Sequence, residues 1–126
     1  MSVDSWQPIT PPNQINDEQL ARLLNLNQGQ AQEYDLTSDL DWIQPLAQVD
    51  AKIWQQLAPK LTFDQIQQLI EIFTLAEQQG SWSLGEKSSV IPLFKILKKA
   101  KGVDRELVKW VKAHTDNKFL PFGPLL

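Results

Sequence analysis

Between Pro59 and Gly80 the chain reads KLTFDQIQQLIEIFTLAEQQ, twenty residues with neither proline nor glycine. Within it Ile66, Leu69, Ile70, Phe73 and Ala76 recur at three- and four-residue intervals, the spacing that places side chains on one face of an α-helix. Thr62 and Gln65 have the separation of a capping box, so the start of the helix is specified along with its face. A stripe of this length has to be buried against other elements, and it predicts a central helix. Leu75 falls in the otherwise polar sector of Asp64, Gln67, Gln68, Glu71 and Gln78, which predicts contact on that side too.

The remaining segments follow the same rules. Asn16 with Gln19 forms another capping-box pattern and opens a short first helix to about Leu26. Pro45 suits the first turn of a second helix carrying Leu46, Val49, Ile53 and Leu57 on one side, with Trp54 beside that stripe and Pro59 as its end. Ser88 or Ser89 can cap a fourth helix that has Pro92 in its first turn, turns Val90, Leu93, Phe94 and Leu97 inward, and ends at Gly102. Asp104 caps a fifth, with Val103 and Val108 placed as a hydrophobic staple and Leu107, Trp110, Val111 and His114 on one face. No segment alternates as a half-buried strand does. The expected fold is all-α, a single-domain irregular bundle of about five helices with extended arms at both ends. Residues 1–15, with three prolines, form the N-terminal arm, pinned by Trp6 and Ile9. Residues 16–118 form the helical domain, with an acidic loop at about 28–41, and residues 119–126 form an apolar tail packed on it. A chain of 126 residues, 42% of them hydrophobic, can bury a core of that kind.

Several chemistries are excluded or disfavoured by residue type. The chain has no cysteine, which removes disulfides, thiolate metal ligation and a cysteine nucleophile. His114 is the sole imidazole, so a histidine metal cluster is excluded, and no GxSxG elbow accompanies the serines. Its place on an apolar face, in the last turn of a helix, predicts a packed histidine held near the helix end. Asn117, after it, suits the left-handed position that closes a helix. GSWSLGEKS nearly spells a phosphate loop, but Glu86 separates Gly85 from Lys87 and sets a carboxylate where phosphate oxygens would have to approach. Asp35, Asp39 and Asp41 lack the glycine and distant glutamate of a calcium loop, so they predict a solvated loop in which Asp39 or Asp41 caps the next helix. No catalytic, cofactor-binding or metal-binding residue is expected, and the chain is read as non-enzymatic. The N-terminal segment lacks the basic start and apolar stretch of a signal peptide, and no run reaches the length of a membrane span, which predicts a cytoplasmic protein.

Charge is divided along the sequence. Residues 1–80 hold eleven acids and three bases, whereas residues 88–126 hold eight bases and three acids. Lys95, Lys98 and Lys99 lie opposite the apolar side of the fourth helix, Arg105, Lys109 and Lys112 opposite that of the fifth, and Lys118 follows. These seven are the candidate surface for an anionic partner, nucleic acid or an acidic membrane face, against the ordinary alternative of a solvated lysine face. No aromatic interleaves them on those faces, because Phe94 and Trp110 belong to the inward faces, and the pI near 5.0 speaks against a dedicated nucleic-acid binder. The leading expectation is therefore a protein partner.

The strings WSLGEKSSVIPLF and LVKWVKAHTDNKFLPFG, within residues 82–123, are similar to those of a family of small all-α bacterial proteins. That resemblance implies a bacterial, cytoplasmic setting and carries no activity, cofactor or site residue. The closing FLPFGPLL is too rich in proline to continue as helix, and its Phe119, Leu120 and Phe122 suit a strap across the protein's own core.

Overall fold

The periodic run forms α4, Phe63–Gly80, the longest helix of a computed structural model that describes residues 14–26 and 36–123. The Thr62 side chain accepts from the Gln65 N–H while the Gln65 side chain accepts from that of Thr62, which satisfies two of the donors a helix start leaves open. Ile66, Leu69 and Ile70 are buried, and from Ile72 to Glu77 every residue is. Leu75, the apolar residue in the polar sector, is 5% exposed. Burial on more than one side makes α4 the axis of the bundle. α1 (Asp17–Leu24), α2 (Leu40–Ile43) and α5 (Val90–Lys101) pack against it, and α3 (Ala51–Leu57) packs against α5. α6 (Arg105–Ala113) follows α5 through Gly102, which takes a positive φ of 85°.

Among the described residues all regular structure is helical, as the lack of alternation implied, with six α-helices in place of about five. The extra helix, α2, precedes Pro45 at the end of the expected acidic loop, and the single helix expected from Pro45 to Leu57 is itself interrupted. That stretch is instead a 3-10 turn at Gln44–Gln48 with Pro45 in its first turn, an extended Val49, and α3. Two competing hydrogen-bond sets divide it. Asp50 accepts the Lys52 N–H and so starts a new helix. The carbonyls of Leu46 and Ala47, which a continuing helix would have used, accept instead from the hydroxyl and the N–H of Ser89.

Ser89 occupies the cap position of α5 without capping it, and Ser88 supplies the bond by accepting from the Val90 N–H. Asp39 precedes α2 but accepts from the indole N–H of Trp42, while Asp41 lies within α2 and is exposed, so neither caps. α4 ends with Ser81, not Gly80, in the left-handed region. Gly80 is needed for a different reason: the indole of Trp82 folds over it, and a methyl group there would fall on the ring. Val103 is 47% exposed, so the staple with Val108 does not close. The two caps read as boxes, at Asn16 and Thr62, and the Asp104 cap are all present.

Trp54, placed beside the stripe by its spacing, is fully buried with its ring edge-on to Phe73 at 5.6 Å. Its indole N–H has no hydrogen-bond partner among the described residues. Of the inward residues expected of the fourth and fifth helices, Val90, Leu93, Phe94, Leu97, Leu107 and Val111 are buried, while Trp110 and His114 are half-buried. Ile15 is buried as well, while Trp6, Ile9, most of the acidic loop, and Leu125 and Leu126 lie outside the described residues. No helix among the described residues is long and apolar enough to cross a membrane.

Candidate functional site

The fold decides what becomes of the seven basic residues. All are exposed, and their contacts differ. Lys109 pairs with Glu106 at 3.9 Å on its own helix, and Arg105 stands at the start of α6. Lys95 and Lys99, one turn apart on α5, line a groove between α3 and α5. Lys98 of α5 and Lys112 of α6 approach one ring, that of Phe122, at 5.9 and 5.7 Å from its centroid, and Lys118 approaches Phe119 at 5.7 Å. The expectation that no aromatic interleaves the basic positions is thus overturned. The aromatics arrive from the tail, which local spacing on α5 and α6 could not reveal.

Residues 119–123 run along the body. Leu120 is 2% exposed, and Phe122 meets Phe94 edge-on at 5.2 Å. Gly123 has a φ of 89° and lies so close to Ile91 and the Lys95 ammonium that a side chain there would meet both. His114 stacks on Trp110 at 4.3 Å and shares a 2.7 Å hydrogen bond with the Trp110 carbonyl. A carbonyl only accepts, so Nδ1 carries the proton. Asn117 is not left-handed, since Ser81 is the one non-glycine residue with positive φ among those described. It works through its side chain. Its Oδ1 accepts from the Phe119 N–H at 3.0 Å, and its Nδ2 donates to the Gly85 carbonyl at 2.9 Å.

The same Nδ2 lies 3.4 Å from Oε1 of Glu77, and the Ser88 hydroxyl donates to Oε2. Glu77 is 3% exposed, and burial pushes its carboxyl up to about 7 against the opposing effect of those two donors. Glu71, half-buried, is raised for the same reason, less the help of Gln67. One carboxylate therefore joins α4, the connection before α5 and the segment after α6. Sequence reasoning missed this cluster, although Glu77 is in register with Ile66, Ile70 and Phe73 on the buried stripe, and an acid in that register was the available signal.

Two concavities flank the Glu77–Ser88 hydrogen bond. The α3–α5 groove, about 1030 Å³, has Val49, Ile91 and Ile96 in its floor and Lys87, Lys95 and Lys99 among its walls, with Asp50 and Glu86 also lining it. A smaller cleft, about 480 Å³, lies between the end of α4, residues 81–85 and residues 115–119. Ser88 lines the first and Glu77 the second. Among the described residues no group of three or more His, Asp or Glu side chains is arranged to hold a metal ion. Comparison with protein-family models, curated proteins and solved structures finds no match to the chain.

Proposed function

We propose that this is a non-catalytic binding protein whose partner is another protein, received in the α3–α5 groove. The observation that carries the reading is the makeup of that groove, an apolar floor of Val49, Ile91 and Ile96 beside lysines at 95 and 99 on one helix. That combination suits an amphipathic segment that buries apolar side chains and presents carboxylates to the two lysines. The bacterial, cytoplasmic setting implied by the sequence resemblance belongs to the same proposal. Reversing the wall with Lys95→Glu and Lys99→Glu, together with Ile96→Asp at a half-buried floor position, is expected to abolish capture of a partner held by the native protein in extracts of the source cell. Quantitative proteomics on both baits, with melting curves to establish that the variant is folded, reads the outcome. Identical partner lists from two folded baits would remove the groove from consideration.

A second reading is supported by Phe122 between Lys98 and Lys112. Cations around an aromatic ring suit single-stranded nucleic acid, which offers phosphates and stackable bases together. On this reading a labelled oligonucleotide binds with an affinity that falls steeply between about 50 and 200 mM salt, and exchanging Lys98, Lys99, Lys109 and Lys112 for glutamine abolishes binding. Binding to anionic vesicles but not to the oligonucleotide would assign the same surface to a membrane face. No binding to either leaves the lysines as a solvated face.

A further inference from the structure

The smaller cleft is independent of the groove and has a different chemical character. Glu77, itself buried, and the half-buried rings of Trp82 and Phe119 are among the residues that line it. The charged groups facing Glu77 across it are Asp116 and Lys118, both from the segment after α6, while α4 and residues 81–85 contribute no other charge to the lining. Lys118 is exposed and already rests over Phe119, so one cation–ring contact is present in the protein itself.

The two oxygens of Glu77 are unequally satisfied. Oε2 takes the hydroxyl of Ser88, which lines the α3–α5 groove and not the cleft. Among the described residues Oε1 has only the 3.4 Å contact from Asn117 Nδ2, whose shorter bond, 2.9 Å, goes to Gly85. A carboxylate oxygen can accept two hydrogen bonds, and Glu77 lines the cleft together with Asn117, so Oε1 keeps acceptor capacity at a residue of the cleft lining. A carboxylate with acceptor capacity in one lining with two aromatic rings is complementary to one kind of small molecule, an ammonium attached to an apolar body.

We infer that this cleft binds a primary amine on a compact apolar body, its ammonium at Glu77 Oε1 and its body against Trp82 and Phe119. The ammonium favours the ionised carboxylate. Because burial raises the Glu77 carboxyl to about 7, about half of it is protonated at pH 7 when the cleft is empty, and amine binding also releases about half a proton. A neutral alcohol of the same shape can donate one hydrogen bond but lacks its charge assistance and the cation–ring attraction.

Benzylamine and benzyl alcohol, nearly the same in shape, provide the test. At pH 8, benzylamine is expected to shift the Trp82 indole N–H resonance saturably and to bind at least about tenfold more tightly than benzyl alcohol, a difference of about 1.4 kcal/mol. Glu77→Gln keeps the side-chain shape and is expected to lose about tenfold in benzylamine affinity while still folding. Calorimetry at pH 7 in buffers of different ionisation enthalpy reads the released proton. Equal affinity for the two probes, unchanged benzylamine affinity in folded Glu77→Gln, or no Trp82 shift at all would each overturn the assignment.

Discussion

Ending the chain after Lys118 is expected to lower the melting temperature by about 10 °C. The reasoning starts from Leu120, 2% exposed, and from the edge-on Phe122–Phe94 contact at 5.2 Å. Emptying a buried leucine site costs about 2–5 kcal/mol, and an aromatic pair adds about 1 kcal/mol. Phe119, Pro121 and Phe122, buried or half-buried, add roughly 4 kcal/mol, and release of the five described residues restores backbone freedom at about 1 kcal/mol each, so the net loss is about 3 kcal/mol. For a domain of this size that corresponds to roughly 10 °C. Leu120→Ala alone recovers no backbone freedom and is expected to cost nearly as much as the full deletion. Thermal unfolding of both proteins checks the pair. An unchanged melting temperature after truncation, combined with a lost partner, would make the tail a docking peptide instead of a strap.

Glu77→Gln is expected to raise stability at pH 8 and to leave it nearly unchanged at pH 5. In the folded protein the carboxyl titrates at about 7, above the ordinary carboxylate value of 4.5. A raised folded-state value means that the fold binds the proton more tightly than the unfolded chain does. The stabilisation from that proton is complete below about 4.5, declines as pH rises towards 7, and is gone above it. The buried charge carried at pH 8 thus costs at most about 3 kcal/mol, and a neutral amide of the same shape avoids it. Ser88 and Asn117 lose a charged acceptor, so the expected net gain is about 1–2 kcal/mol, or about 5 °C. Melting curves of the native protein and the variant at the two pH values give the answer. A variant less stable than the native protein at pH 8 would mean that the two donors outweigh desolvation.

The legible part of the fold was the part specified within one turn of helix. Asn16 with Gln19, Thr62 with Gln65, and Asp104 each satisfy their own helix start, and neighbours three residues away decide those caps. The buried stripe of α4 was readable because its period alone distinguishes inside from outside. The break at Val49 and Asp50 was not readable, because the carbonyls of Leu46 and Ala47 are taken by Ser89, more than forty residues away. Trp54 was placed beside the core for a related reason. Spacing along one helix says which residues share a face, while Phe73 on another helix decides how wide that face is.

The candidate surfaces divide in the same way. The sequence by itself determined an all-helical chain, the residues of α4, α5 and α6 that turn inward, and the charge split along its length, because helical period and residue charge are local properties. Only the tertiary structure decided that Lys95 and Lys99 wall a groove, that Phe122 from the tail sits between Lys98 and Lys112, and that Glu77, Ser88 and Asn117 meet. Each of those meetings joins residues from separate elements. They are set by how the apolar faces pack, since burial of the stripes fixes the helices relative to one another and carries the polar and charged side chains along with them.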